Sequence, residues 1–431
     1  MSDMHHELFI QWLNKEVTPA LGCTEPVAIA FAAATACQHL KEPCISIHGF
    51  ISENLYKNAM GVTIPGTHCS GIATAAAVGV YGGDPSKGLE TLKGLTVAQI
   101  EQALEMVNQG AVNITASDTP DFIHIDLTAT SASNHCRVVI KKSHTRITEL
   151  YVNDQPVELN HASDQDANSV ALRNFSIQEA FDFISHVPLE KITFILEAAR
   201  LNGALSEEGR KKGYGLDING TLRGAISQGL MSNDLLSRIL VETVAASDAR
   251  MGGAPVTAMS NFGSGNQGIT ATLPVMVVAR EQNASQEELA RAMALSHLVA
   301  ISIHARYTRL SALCAASTAA MGAAAGMAWL FTRDLNVIQS AVINMVSDVS
   351  GIICDGASNS CAMKVSTVTM SAFKAVMMAR LGTRVSDHDG IVSLDAEQTI
   401  NNLSRLVVKA MPSTDKEIIH IMAEKSAHSH C

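Results

Sequence analysis

Residues 261–270, NFGSGNQGIT, decide between two very different folds. Gly263, Gly265 and Gly268 spell G-x-G-x-x-G, which between a buried strand and a helix would bring a pyrophosphate to the helix N-terminus. The context argues against that reading. The preceding ARMGGAPVTAMSN reads as loop, and Pro274 interrupts the following helix early. The acids about 20 residues on, Glu287 and Glu288, open a solvated helix, where acids are favoured anyway. No alternating strand–helix pattern surrounds the motif, so a doubly wound dinucleotide fold is not expected. What remains is a run of backbone N–H groups with Asn266 and Gln267 at a helix start. That is a cradle for a small anion such as a carboxylate, or simply a turn that needs positive φ.

The 431 residues around this stretch allow two or three domains and a large core. Apolar residues make up 47% but aromatics only 4%. The interior must therefore be built from Ala, Val, Ile, Leu and Met, and such small side chains let helices approach closely. A net charge of −10, a pI near 5.9 and the lack of a basic run exclude nucleic acid and anionic membrane as expected partners. The start, MSDMHHELFIQWLNKEV, lacks a cationic segment followed by an apolar run, so no signal peptide is expected. The uncharged stretch 310–332 is Ala/Gly/Ser-rich and reads as a buried helix rather than a membrane span. Nine cysteines without secretory context point to a reducing compartment, with cytoplasm as the expected location.

Periodicity organises the chain into two parts. A helix is predicted over 5–16, then a break at TPALGCTEP, then an Ala-rich helix with Pro26 in its first turn. Residues 44–51 alternate like a strand, and small-residue and amphipathic helices follow near 72–80 and 96–110. Between 111 and 159 the pattern is alternating and β-branched, which predicts an antiparallel sheet. Residues 161–169 read as a linker, and from 177 onward the signal is helical, with no solenoid repeat. The predicted fold class is α+β. An N-terminal α/β region with a small antiparallel sheet fills 1–165, and an all-α domain fills 170–431.

Three cysteines in the helical part are spaced to share a ligand. Cys354 and Cys361 flank the loop 355–360, and Cys314 stands 40 residues before Cys354. They read as buried core thiols, or as ligands of a zinc ion or an iron–sulfur cluster. Zinc sites usually need a fourth protein ligand. Three thiolates with no obvious fourth suit a [4Fe–4S] cluster with one iron left open, although C-x6-C is no standard ferredoxin pattern. Cys23, in ALGCTEPVAIA, lies at a helix N-terminus, where the dipole favours thiolate. It reads as a general base or nucleophile, or as a core thiol beside a helix capped by Thr24. Cys37, Cys44, Cys69 and Cys136 read as structural, and His297 and His304 as packing rather than metal-binding. Cys431, in the terminal HSHC, could reach an open iron as a removable cap.

Together ALGCTEPVAIA, NLYKNAMGVTIPGT, GSGNQGITATLPV, RLSALCAAS and GIICDGASNSCAMKV resemble the UPF0597 family of L-cysteine desulfidase-like proteins, in the iron–sulfur L-serine dehydratase superfamily. The resemblance runs over nearly the whole chain. It implies a [4Fe–4S] lyase that works without pyridoxal phosphate, with cluster ligands at Cys314, Cys354 and Cys361 and a reactive Cys23. Serine dehydratases carry a Ser-Ser-His-Thr type motif, and here Cys23 and Thr24 stand where His and Thr would fall. Their Thr-Asn-Gly-Ala-Ala-Gly loop resembles residues 265–268. The last cysteine pair is closer here than in serine dehydratases. The N-terminal region resembles the dehydratase β-domain, and the helical part its catalytic α-domain.

The implied reaction converts L-cysteine and water to pyruvate, ammonia and sulfide. Cys23 would take the Cα proton, and a soft thiolate substrate suits iron. Ser264, Gly265 and Asn266 would hold the carboxylate, with Thr24, Lys57 and Asn58 as further substrate contacts. Lys57 and Asn58 read equally well as solvated loop residues. The alternatives are an L-serine dehydratase on the same scaffold, a non-enzymatic iron–sulfur sensor, and a pyridoxal phosphate lyase. The sensor lacks a visible partner-binding module, and the last lacks a candidate Schiff-base lysine. The expected partner is a small amino-acid substrate. A homo-oligomer is the expected assembly, although small-residue helices pack equally well within one chain.

Overall fold

The computed structural model describes residues 3–159, 175–211, 213–307 and 310–424. The expected linker at 161–169, the boundary between 165 and 170, and Cys431 lie outside the described residues. The architecture is α+β. Strands concentrate before residue 157, and helices dominate from Ile177 onward.

The alternating segments form a six-stranded sheet in the order Val112–Ser117, Ser46–Ser52, His124–Thr130, His135–Lys141, Ile147–Val152, Gln155–Pro156. Neighbours are antiparallel except the first pair, which runs parallel. This departs from the purely antiparallel expectation, and the connectivity explains it. The helices Glu53–Ala59, Ile72–Gly82 and Val97–Asn108 lie between those two strands in the chain, the long crossover a parallel pair requires. The helix Thr24–Leu40 covers one sheet face, burying Ile125, Leu127, Val138 and Ile140 with its own Val27 and Ile29.

A second core surrounds the helix Ala315–Thr332. Residues 316–330 are all buried, among the helices Gly265–Glu281, Gln286–His304, Leu335–Val349 and Cys361–Arg380. A helix apolar all round belongs at such a centre. Among the described residues, no helix is long and apolar enough to cross a membrane.

Two local expectations are corrected around the glycine motif. Thr257–Met259, read as loop, is a fully buried strand, but it pairs only with Pro19–Leu21, antiparallel, in a two-stranded sheet. The helix Gly265–Glu281 also runs straight through Pro274 instead of stopping, because packing on its flanks outweighs the lost hydrogen bond. Backbone geometry demands glycine at two of the three positions. Gly263 has φ 82°, and a Cβ on Gly268 would fall 1.9 Å from the carbonyl oxygen of Met259. Gly268→Ala is therefore expected to destabilise the protein by about 1–3 kcal/mol, as other overpacked sites do. A lowered urea midpoint at unchanged slope would show it, and an unchanged midpoint would contradict the close approach.

Candidate active site

Four helices of 17 to 20 residues start at the wall of one cavity. Cys23 precedes Thr24–Leu40, Ser264 precedes Gly265–Glu281, Cys314 precedes Ala315–Thr332, and Cys361 is the first residue of Cys361–Arg380. Each helix start presents unpaired N–H groups and the positive end of its dipole, so the cavity favours negative charge. The backbone brings the ligand-type cysteines together. Cys314 N–H donates to Ile352 O at 2.9 Å, and Cys354 N–H donates to Ala312 O at 2.7 Å. Cys23, Thr24, Asn58, Ser264, Asn266, Cys314, Cys354 and Cys361 all line this cavity.

The three thiols Cys314, Cys354 and Cys361 feel one another. Burial pushes Cys314 up to about 12, with Cys354 and Cys361 adding to the rise. Burial pushes Cys361 up to about 11, with Cys354 adding. Among the described residues no three His, Cys, Asp or Glu side chains converge on the position of a single metal ion. Cys314, Cys354 and Cys361 thus border one space without meeting at a common point. A cationic charge beside Cys314 and Cys361 would act against the burial that raises both thiols.

Cys23 differs from its expected state. Its Sγ–H donates to Glu25 Oε2 at 3.1 Å, and His144 Nε2 lies 4.0 Å from Glu25 Oε1. Burial drives the Cys23 thiol well above its ordinary value, Glu25 pushes the same way, and Arg250 opposes them. The helix dipole expected to favour thiolate is outweighed by desolvation. Thr24 Oγ1 donates to Gly263 O at 2.8 Å, tying the Cys23 turn to the glycine loop.

Lys57 is placed differently from the expectation. It does not line the cavity, and it is not a solvated loop residue either. Its fully buried Nζ donates to Asp415 Oδ1 at 2.5 Å and to Cys354 O at 3.3 Å. An ammonium already neutralised by a buried carboxylate has little left for substrate. Asn58, beside it, is also buried, with Oδ1 4.0 Å from Cys354 Sγ.

The loop residues have partners of their own. Ser264 Oγ accepts from Gln267 N–H as the N-cap, and Asn266 Oδ1 accepts from Ser247 Oγ at 3.2 Å. Gly265 has no room for a side chain, because a Cβ there would sit 2.1 Å from Arg250 Nε. Beneath the loop runs a buried polar chain. His304 Nδ1 meets Gln267 Oε1 at 2.7 Å, Gln267 Nε2 donates to Asn261 Oδ1 at 2.8 Å, and Asn261 Nδ2 donates to His297 Nδ1 at 2.9 Å. Burial holds His297 down to about 3, so it accepts there as a neutral ring. The amide network thus assigns the proton of His304 to Nδ1. Both histidines serve packing and hydrogen bonding, as expected, but His304 also lines the cavity.

Glu25, His144 and Arg250 line the cavity without a site role expected of them, and His304 lines it although its expected role is packing. Glu25 carried the stronger local signal, as an acid two residues from Cys23. Arg250 had a weaker one, since no charged residue follows it until Arg280. A larger open groove of about 1090 Å³ lies elsewhere, lined by Glu207, Arg210, Arg223, Arg238 and Glu242. It contains no thiol or imidazole.

Residues 86–420 match the serine dehydratase alpha chain family. A UPF0597 protein of Klebsiella pneumoniae is 62% identical over 425 residues, covering 99% of this chain and 100% of the relative. One from Actinobacillus pleuropneumoniae is 48% identical over 420 residues, and one from Salmonella gallinarum 49% over 423, each covering 97% of both chains. With cysteines and glycine loop gathered at one cavity, and similarity along almost its entire length, the chain belongs to the serine dehydratase alpha chain family and, within it, to the UPF0597 proteins.

Proposed function

We propose that this protein is a lyase that removes the β-substituent of a small L-amino acid, L-cysteine in preference to L-serine. L-Cysteine and water would give pyruvate, ammonia and sulfide. The observation that carries this reading is the convergence of Cys23 and three ligand-type thiols on one cavity walled by helix N-termini. Cys314, Cys354 and Cys361 would hold a [4Fe–4S] cluster. When bound, such a cluster supplies a Lewis acid for the departing β-substituent.

The chain's own residues would do the rest. Cys23 Sγ takes the Cα proton, after passing its own proton to Glu25, the carboxylate 3.1 Å away. Thr24 is a positioning residue, since its bond to Gly263 O fixes the Cys23 turn against the loop that receives substrate. Ser264, Gly265 and Asn266 present the start of a long helix to the carboxylate end of the amino acid. Asn58 borders the leaving-group side, next to Cys354. Loss of the proton and the β-thiol leaves aminoacrylate, which hydrolyses to pyruvate and ammonia.

Anaerobic reconstitution with iron and sulfide tests the reading. The expected result is a brown protein that releases equal sulfide and pyruvate from L-cysteine, and a Cys361→Ser variant that retains little iron. Pyruvate from L-serine alone would move the substrate to serine. A wild-type protein that takes up no cluster would overturn the proposal.

A further inference from the structure

We infer that Arg250 is the anchor for the substrate's α-carboxylate, an ion-pair partner that none of the described residues provides. The inference rests on the amino-acid lyase reading above. Arg250 stands in the last turn of the helix Leu235–Met251 and is only 4% exposed. An arginine this deeply buried is almost always paired, because desolvating an uncompensated charge costs several kcal/mol. Arg250 has no carboxylate partner among the described residues. Its Nε donates to Gly22 O at 3.1 Å and its Nη1 to Met251 Sδ at 3.2 Å. A thioether is a weak acceptor, and the guanidinium has five N–H donors, so most of its capacity is unspent.

Its place favours a carboxylate. Arg250 lines the same cavity as Cys23 and the three ligand-type thiols. It also lies directly against Gly265, where a Cβ would occupy its Nε, so the glycine lets the guanidinium reach the start of the helix Gly265–Glu281. A planar fork beside free helix N–H groups is suited to bidentate binding of a planar anion. The cavity's own carboxylate, Glu25, accepts from Cys23 and Thr24 instead. An anion that fits this fork is the carboxylate that every α-amino acid carries.

The test compares ligands with and without that group. L-Alanine has the carboxylate and no leaving group, whereas cysteamine has the thiol and amine and no carboxylate. In Arg250→Gln the KM for L-cysteine and the dissociation constant of L-alanine are expected to rise by roughly 10–100-fold, the span of a lost charged hydrogen bond. Cysteamine inhibition should stay within about 3-fold of wild type, allowing for ordinary mutational scatter. Arg250→Lys, which keeps the charge but loses the fork, should recover part of the L-alanine affinity. Iron content and thermal midpoint of each variant report whether the fold and cluster survive. L-Alanine binding unchanged in Arg250→Gln would overturn the inference, as would a parallel loss of cysteamine affinity. Loss of iron with L-alanine binding intact would also overturn it, assigning Arg250 to the cluster. Calorimetric binding of L-alanine needs no turnover, so the anchor is tested even if wild-type protein eliminates nothing from L-cysteine.

Discussion

Cys23→Ala is expected to lower kcat for L-cysteine by roughly 10²–10⁴-fold, the usual contribution of a positioned general base. Iron content and visible spectrum should remain those of the wild type, because Cys23 stands on a different turn from Cys314, Cys354 and Cys361. The side chain lost is small, so the fold should tolerate the change. Cys23→Ser separates two explanations. A hydroxyl can keep the hydrogen bond to Glu25 but is a far poorer acceptor for the Cα proton, so serine should be nearly as inactive as alanine. Exchange of the Cα proton of L-alanine with deuterated solvent, followed by proton NMR, isolates that step from the elimination. Wild-type exchange rates in both variants would remove Cys23 from the mechanism, and loss of iron would move it to the cluster.

Lys57→Met should cost about 3–5 kcal/mol of stability, because it leaves Asp415 buried without its counter-charge. The pair joins the helix Glu53–Ala59 to the C-terminal helix Met411–Glu424, and Lys57 also holds the carbonyl of Cys354. A weakened cluster loop, seen as faster iron loss to a chelator, should accompany the lower denaturation midpoint. Replacing both partners, as Lys57→Met with Asp415→Leu, should recover most of the stability, since an apolar pair avoids the desolvation of two charges. The KM for L-cysteine should change little in the double variant. A raised KM at unchanged stability would instead make Lys57 the substrate contact that its sequence neighbourhood first implied.

How far the sequence could be read depends on the range over which each feature is encoded. The Ala-rich helices and the alternating strands rest on patterns a few residues long, and they hold in the structure. The parallel pairing of Ser46–Ser52 with Val112–Ser117 was not legible, because periodicity marks a strand without naming its neighbour. Pro274 misled for a related reason. Its local cost is real, and only surrounding helices can offset it.

The same division runs through the candidate site. Sequence alone determined that Cys23 would stand at a helix start and that Cys354 and Cys361 would flank one short loop, because capping and turn chemistry are written within a few residues. Only the tertiary structure decided that they share a cavity with Glu25, His144, Arg250 and His304. It also withdrew Lys57 from that cavity through Asp415, a partner 358 residues away. Finally it set Cys23 as a thiol rather than a thiolate. Helix position is a local property, whereas desolvation sums over everything packed around the sulfur, and in this protein the sum outweighs the dipole.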